Sequence, residues 1–225
     1  MKQGFVKVAS ATPGIRVADP VYNARTICTQ AKEAAGHGAK IIVFPELCIT
    51  GYTCNDLFLQ NLLLKKAKEA LLTITEETRQ LESLLFVGLP VEKDGRLYNV
   101  AAAVYRGNIL GMIPKKNIPM YAEFYEGRHF TPGEETITNY RLGEYEIPFG
   151  TNLLFCCEEL PELVLGCEIC EDLWVADPPS TSHALAGATV IANLSASNET
   201  VSKDAYRELL VKSASARLLC GYIYT

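Results

Sequence analysis

The residue in this sequence with the clearest chemical potential is a cysteine, Cys170. The apolar run at residues 163–165 predicts a buried strand ending just before it, and two acidic residues, Glu171 and Asp172, follow at once. A thiol at the end of a buried strand can act as a nucleophile, although most unpaired cysteines are small buried hydrophobic residues. The rest of the chain therefore has to supply the groups that would activate it.

Two charged residues stand in comparable positions. Glu46 follows four apolar residues, 41–44, after a single proline, and Lys115 follows Pro114 at the start of a long loop. A thiol is mostly protonated at neutral pH, so a carboxylate that takes its proton and an ammonium that favours the anion would both activate it. The backbone N–H of Glu171 could join the ammonium in stabilising an oxyanion. These residue types predict a Cys–Glu–Lys hydrolase, ahead of a Cys–His pair, because no histidine follows a buried strand.

The composition narrows the class of protein. The chain has 225 residues, is 48% apolar and carries a net charge of −5, which allows a sizeable core and argues against nucleic-acid binding. It has no apolar run approaching the roughly 18 residues of a membrane span and no signal peptide, so we expect a cytoplasmic protein with reduced cysteines. The Cys-x-x-Cys at Cys167 and Cys170 has no second pair of ligands, and we expect no metal site.

The element pattern predicts an α/β fold with mixed sheets. A first strand, a helix capped by Asp19 with Pro20 in its first turn, and a strand at 41–44 form a β-α-β unit. Turn signals at 93–96 and 106–108 predict antiparallel strands beside that unit.

The remaining segments yield three further expectations. A helical stretch reaches about residue 81, with one break expected near Thr73 or Thr75. The irregular segment 114–133 carries aromatic and charged residues, which is typical of a functional loop. A last helix at 202–219 leads into a strand that runs to the final residue, so we expect the natural protein to continue.

The order of these motifs resembles the nitrilase, or carbon–nitrogen hydrolase, superfamily. The resemblance covers essentially the whole chain and is carried by Phe44-Pro45-Glu46-Leu47, Gly51-Tyr52, Pro114-Lys115 and Cys170-Glu171-Asp172. A narrower resemblance, through residues 121–130 and 168–174, is to the N-terminal glutaminase domains of glutamine-dependent NAD+ synthetases. It implies a four-layer α-β-β-α sandwich and one nitrilase-like glutamine amidohydrolase domain over 1–225, lacking the closing strands of the family fold.

The resemblance also implies residue roles. Cys170 would attack the side-chain amide of glutamine and form a thioester, with Glu46 as base and Lys115, rather than the adjacent Lys116, as the third member of the triad. Glu123 matches a supporting glutamate, with Glu126 as a competing candidate. The matches to substrate-binding positions are Tyr121, Glu171 and Ser197, together with Tyr52, which is open between a core and a site position.

Partners and cofactors follow from the same resemblance. The ammonia would be used by a separate C-terminal synthetase domain that binds ATP and deamido-NAD, and no Ser-Gly-Gly-x-Asp-Ser loop for ATP occurs in this sequence, so we expect no cofactor in this chain. Lys203 stands where some relatives have an arginine, which affects recognition of the substrate carboxylate. Two alternatives stay open, a stand-alone amidase for another small amide and an inactive fragment acting as an assembly module. Because family members associate through their helices and the sheet near the site, the resemblance also implies that the intact protein is a homo-oligomer.

Overall fold

Two β-sheets, packed face to face and each covered by helices on its outer face, form the core of the fold. The computed structural model describes residues 4–143 and 145–225. The strands are β1 (Val8–Ser10), β2 (Ile41–Val43), β3 (Leu84–Lys93), β4 (Arg96–Tyr105), β5 (Asn108–Pro114), β6 (Thr138–Leu142), β7 (Tyr145–Phe149), β8 (Leu154–Cys157), β9 (Leu160–Ile169), β10 (Val190–Leu194) and β11 (Gly221–Tyr224). The helices are α1 (Pro20–Gly36), α2 (Asn61–Glu77), α3 (Pro179–Leu185) and α4 (Lys203–Leu218).

The sheets are mixed, as the sequence predicted. The first has seven strands in the order β1-β2-β3-β4-β5-β7-β6, and the second has four in the order β11-β10-β9-β8. Strands β1, β2 and β3 are parallel, as are β9, β10 and β11, whereas β3, β4 and β5 form the two antiparallel hairpins expected from the turn signals. The carboxyl ends of parallel strands therefore meet in each sheet, the position where α/β proteins commonly build sites.

Three apolar layers hold the sheets and helices together. Helices α1 and α2 cover the first sheet through residues such as Ile27 and Leu71, and the facing surfaces of the two sheets bury Phe86 against Leu165 and their neighbours. Helices α3 and α4 cover the second sheet around Ile191. The predicted four-layer α-β-β-α arrangement is confirmed.

Helix α1 begins as predicted, and helix α2 differs from the prediction. The Asp19 side chain accepts the backbone N–H of Tyr22 at 3.0 Å, and Pro20 occupies the first turn. No break occurs at Thr73 or Thr75, because each hydroxyl donates to the carbonyl four residues earlier, at 3.0 Å and 2.9 Å, and the helix continues to Glu77. Such back-bonding satisfies a threonine within a helix.

Strand β9 is longer than the sequence predicted. The apolar run that predicted this strand covers 163–165, whereas β9 starts at Leu160 and includes Pro161. The ladder with β8 is irregular there, since Cys157 pairs with Leu160 and Cys156 pairs with Val164. The bulge accommodates Pro161, which has no N–H to give to a regular ladder.

Among the residues that the structure describes, no helix is long and apolar enough to cross a membrane. The same ranges contain no group of three or more His, Cys, Asp or Glu side chains arranged to hold a metal ion.

Candidate active site

Cys170 lies at the carboxyl end of β9, where the chain turns sharply. Its φ of 45° is in the left-handed region that few residues other than glycine adopt. The 3₁₀ turn Cys170–Leu173 starts there, and its Asp172 accepts the backbone N–H groups of Ile169 at 2.9 Å and Asn117 at 2.8 Å. The acidic residue two positions after the cysteine therefore fastens this turn to the loop that follows β5.

The backbone of Cys170 is also held from the neighbouring strand. Asn193, in β10, accepts the Cys170 N–H through its side-chain oxygen at 3.1 Å, and its amide nitrogen donates to the Tyr222 hydroxyl at 3.1 Å. The Tyr222 hydroxyl donates to the buried Glu168 carboxylate, which also accepts the backbone N–H of Ser180 at 2.8 Å. A continuous chain of hydrogen bonds thus supports the strained turn.

Glu46 follows β2 and is buried among three donors. Its Oε1 accepts from Asn99 Nδ2 at 2.7 Å and from Lys115 Nζ at 2.7 Å, and its Oε2 accepts the backbone N–H of Ala196 at 3.1 Å. The turn that carries Glu46 presses against β3, because a Cβ at Gly88 would lie 2.3 Å from the backbone nitrogen of Leu47. Only glycine fits at that approach.

Lys115 links two carboxylates inside the protein. Its side chain is fully buried, and Nζ lies 2.7 Å from Glu46 Oε1 and 2.7 and 2.9 Å from the two oxygens of Glu126. The predicted preference for Glu123 as the supporting glutamate is corrected here, since Glu123 is exposed. The reason is local, because Glu126 starts a short 3₁₀ turn, Glu126–Arg128, that directs its carboxylate inward.

Burial and charge set the protonation states of these groups. Burial raises the pKa of Cys170 to about 12, and Glu46 adds to the rise, whereas Lys115 and Ser195 oppose it. Burial alone would lower the pKa of Lys115, but the neighbouring anionic groups, Glu46 first, raise it above its ordinary value. Burial and the charge of Glu46 also raise the pKa of Glu126. The resting site therefore holds a neutral thiol and a charged ammonium.

A cavity of about 420 Å³ opens onto Cys170. Its wall includes three of the residues predicted to bind substrate, namely Tyr121, Glu171 and Ser197. The Tyr121 hydroxyl donates to Glu171 Oε2 at 2.9 Å. These three predicted residues and Cys170 share one cavity.

The fourth predicted substrate-binding residue, Tyr52, lies elsewhere. Its hydroxyl donates to Glu126 Oε1 at 2.7 Å, and its ring lines a separate cavity of about 320 Å³ that also contains Glu123. Tyr52 therefore contacts Glu126 rather than the cavity at Cys170. Trp174 forms part of the wall of the 420 Å³ cavity, with Lys203 Nζ 5.2 Å from its ring centroid.

Sequence reasoning missed three polar residues that contact Glu46 or Cys170. Asn99 bonds Glu46, Asn193 bonds the Cys170 backbone, and the Ser195 hydroxyl lies 3.3 Å from the Cys170 sulfur and 2.7 Å from the Tyr224 hydroxyl. Asn193 and Ser195 follow the apolar run 189–192, so the signal that identified Glu46 could also have identified them. Asn99 lies in the middle of β4 and carries no such signal.

Comparisons with known proteins find similarity over nearly the whole chain. The family model described as carbon–nitrogen hydrolase matches residues 7–224. Over 99% of its length the chain is 44% identical to a glutamine-dependent NAD(+) synthetase of Mycobacterium tuberculosis, and over 82% it is 34% identical to one of Aquifex aeolicus. It covers 33% and 29% of those two proteins. The chain thus spans about a third of the length of the curated relatives it matches.

Solved structures show the same relationship. A glutamine-dependent NAD(+) synthetase from Cytophaga hutchinsonii superposes with a TM-score of 0.87 at 30% identity, over 97% of this chain and 35% of that one. An amidase from Nesterenkonia sp. superposes with a TM-score of 0.73 at 19% identity, over 100% of this chain and 77% of that one. The second likeness shows the fold alone.

Proposed function

Because this chain belongs to the carbon–nitrogen hydrolase family, we propose that it hydrolyses the side-chain amide of glutamine, with Cys170 as nucleophile, Glu46 as base and Lys115 as the cation of the triad. The observation that carries the proposal is the buried Lys115 ammonium, bonded to Glu46 and Glu126 at 2.7 Å each, and close enough to Cys170 for its charge to act on the pKa of the thiol. This arrangement supplies the base and the positive charge that a neutral thiol needs.

In the first step the Cys170 sulfur attacks the amide carbon while its proton passes to Glu46. Base catalysis is required because burial raises the pKa of Cys170 to about 12, which leaves almost no thiolate at neutral pH. The carbonyl oxygen becomes an oxyanion, which the Lys115 ammonium and the backbone N–H of Glu171 stabilise. Each such donor is worth about 3 kcal/mol in the transition state.

In the second step the carbon–nitrogen bond breaks. The departing nitrogen takes the proton from Glu46, ammonia leaves, and a Cys170 thioester remains. Water then attacks the thioester carbon and gives a proton to Glu46, the carbon–sulfur bond breaks with its electron pair going to sulfur, and the proton returns from Glu46 to the sulfur. Glutamate and the original thiol are the products.

The cavity wall carries charges that match the two ends of an amino acid. Glu171 supplies a carboxylate beside Cys170, and Lys203 supplies an ammonium on the same wall. The α-ammonium of glutamine would pair with Glu171 and its α-carboxylate with Lys203, with Tyr121 and Ser197 completing the contacts. Lys203 would pair with the α-carboxylate as a single positive charge, whereas an arginine would donate two parallel hydrogen bonds to it.

The names of the relatives extend the proposal to the whole protein. Glutamine-dependent NAD(+) synthetases are about three times the length that this chain matches. We propose that the ammonia released at Cys170 amidates deamido-NAD in a separate ATP-dependent domain, so that ATP and deamido-NAD bind outside residues 1–225. The proposal also includes assembly as a homo-oligomer and a location in the cytoplasm, whose reducing conditions suit the free cysteines.

Glutamine hydrolysis by the purified chain tests the proposal. Ammonia and glutamate should appear in equal amounts, Cys170→Ala should abolish both, and Cys156→Ala, which changes an exposed cysteine, should not. A panel of small amides belongs in the same assay, since preference for another amide would indicate a stand-alone amidase. If the Cys170→Ala variant hydrolyses glutamine as fast as the original chain, the proposed nucleophile is wrong, and absence of any hydrolysis would favour an assembly module.

A further inference from the structure

Three neighbouring parallel strands bring a row of polar groups to the nucleophile. In the ladder between β9 and β10, Ile169 pairs with Leu194, so the next residues, Cys170 and Ser195, leave the sheet side by side. In the ladder between β10 and β11, Asn193 pairs with Tyr224. The register therefore places the thiol of Cys170, the hydroxyl of Ser195 and the phenol of Tyr224 at one end of the sheet. Of these three groups, only the thiol takes part in the hydrolysis proposed above.

The hydroxyl of Ser195 touches the reacting atom. Ser195 Oγ lies 3.3 Å from Cys170 Sγ, within reach of a hydrogen bond to sulfur, and the residue is only 4% exposed. The same oxygen lies 2.7 Å from the Tyr224 hydroxyl and accepts the backbone N–H of Ser197 at 3.2 Å. Ser195 is thus fixed from three directions.

The number of available protons decides which group donates each hydrogen bond when the sulfur is a thiolate. A serine hydroxyl has one proton and two acceptor positions. The Ser197 N–H fills one position, so the serine proton points either to sulfur or to Tyr224. If Cys170 is a thiolate and the serine proton points to Tyr224, an oxygen lone pair of Ser195 faces the negatively charged sulfur, which is unfavourable. The favoured arrangement has Tyr224 donating to Ser195 and Ser195 donating to Cys170.

We propose that Ser195 is a catalytic hydrogen-bond donor to the Cys170 sulfur, positioned by the hydroxyl of Tyr224. It acts when the sulfur loses its proton to Glu46, and again when the thioester carbon–sulfur bond breaks and the electron pair returns to sulfur. The placement of this donor in the reaction rests on the proposed glutamine hydrolysis, whereas its effect on the thiol does not. Burial raises the pKa of Tyr224 to about 12, which keeps the phenol protonated as a donor.

The rate at which iodoacetamide alkylates Cys170 measures the effect of the Ser195 hydrogen bond on the thiol, and the assay needs no glutamine. The free energy of a hydrogen bond to a charged group corresponds to a change of about ten- to a hundredfold in the thiolate fraction. A more basic thiolate is also more nucleophilic, which offsets part of that change in the alkylation rate. We expect Ser195→Ala to slow Cys170 alkylation about three- to tenfold, measured at slightly alkaline pH by mass spectrometry of the Cys170 peptide. Tyr224→Phe should slow it less, by about twofold, and Ser195→Thr should restore it.

The matched control is Ser83→Ala. Ser83 is also buried, and its hydroxyl donates to the Ala39 carbonyl at 2.7 Å, just before the amino end of β3. This variant should alkylate at the original rate. If Ser195→Ala fails to fold, Tyr224→Phe decides the question, because it removes only a hydroxyl and keeps the volume of the site nearly unchanged.

The outcomes separate this proposal from the proposed function. Slower alkylation in folded Ser195→Ala, accompanied by a lower kcat with an unchanged KM for glutamine, supports both. Slower alkylation in a protein that does not hydrolyse glutamine supports the donor and contradicts the function. Unchanged alkylation in Ser195→Ala, or in Tyr224→Phe where the alanine variant does not fold, overturns the donor whatever the substrate.

Discussion

The Lys115 ammonium is bound by both oxygens of Glu126, at 2.7 Å and 2.9 Å. This two-oxygen contact holds Nζ where it also meets Glu46 Oε1, and the Tyr52 hydroxyl holds Glu126 in turn at 2.7 Å. Glu126 therefore holds the ammonium of the proposed triad, although its carboxylate forms no hydrogen bond with the Cys170 sulfur.

Removing the charge of Glu126 should reduce hydrolysis without removing the nucleophile. Glu126→Gln frees Lys115 to shift toward Glu46, and a displacement of about 1 Å in such a site can lower the rate about a hundredfold. The measurement is kcat/KM for glutamine, with Glu123→Gln, an exposed glutamate three residues earlier, as control. An equal decrease of kcat/KM in the two variants would contradict a role for Glu126 in positioning Lys115.

Removing Lys115 should destabilise the protein in a pH-dependent way. Lys115→Met leaves Glu46 and Glu126 buried without their cation, which costs about 3–5 kcal/mol of unfolding free energy. The pKa of Glu126, already raised by burial and Glu46, would rise further, so the folded variant would bind protons more tightly than the unfolded chain. Its unfolding free energy should therefore increase as the pH falls from about 8 to about 5.

Urea unfolding at several pH values measures this effect. Lys116→Met is the control, because Lys116 forms only a partly exposed ion pair with Glu135 and should change stability by less than about 1 kcal/mol. If the Lys115→Met variant becomes less stable on acidification relative to the original chain, the assignment of buried unpaired carboxylates is incorrect.

Glu46→Gln should separate proton transfer from thiol reactivity. After burial, the charge of Glu46 is the next contribution that raises the pKa of Cys170, so neutralising it should lower that pKa while hydrolysis is lost with the base. The pH dependence of Cys170 alkylation should accordingly move to lower pH. A shift to higher pH would mean that Glu46 promotes the thiolate in the resting protein.

Asn193 should matter for the rate more than for substrate affinity. Asn193→Ala leaves the Cys170 N–H without its acceptor at 3.1 Å, and an unsatisfied buried N–H costs about 1–3 kcal/mol. The strained turn would relax and move the sulfur, so kcat should fall with little change in KM. Asn139→Ala, on an exposed position of β6, is the control, and a change confined to KM would contradict the positioning role.

Lys203 should decide whether the substrate needs an α-carboxylate. If it binds that group, Lys203→Met should raise KM for glutamine about tenfold, which corresponds to about 1.4 kcal/mol, and leave kcat/KM for a simple aliphatic amide unchanged. The comparison uses the two substrates on the same variant, so a folding defect would affect both. Equal losses on both substrates would remove Lys203 from carboxylate recognition.

The sequence alone suggested the proposed triad because the features that mark its residues are local. Glu46 and Cys170 each follow an apolar run, and Lys115 follows Pro114 at the end of a strand, so the types of the residues and their place at strand ends indicated the chemistry. Apolar runs and turn signals likewise predicted the β-α-β unit and both hairpins, since burial and backbone conformation leave a periodic record in the sequence.

Only the tertiary structure decided which residues form hydrogen bonds with Glu46, Lys115 and Cys170. Glu123 and Glu126 lie in one irregular segment without periodicity, so the direction of each side chain depends on a short 3₁₀ turn that the sequence did not predict. The contacts from Ser195 to Cys170 and from Tyr52 to Glu126 join residues 25 and 74 positions apart. Sequence alone placed the reactive groups at strand ends, whereas sheet register and packing fixed the hydrogen bonds that hold them, because those bonds depend on distances between segments remote in the chain.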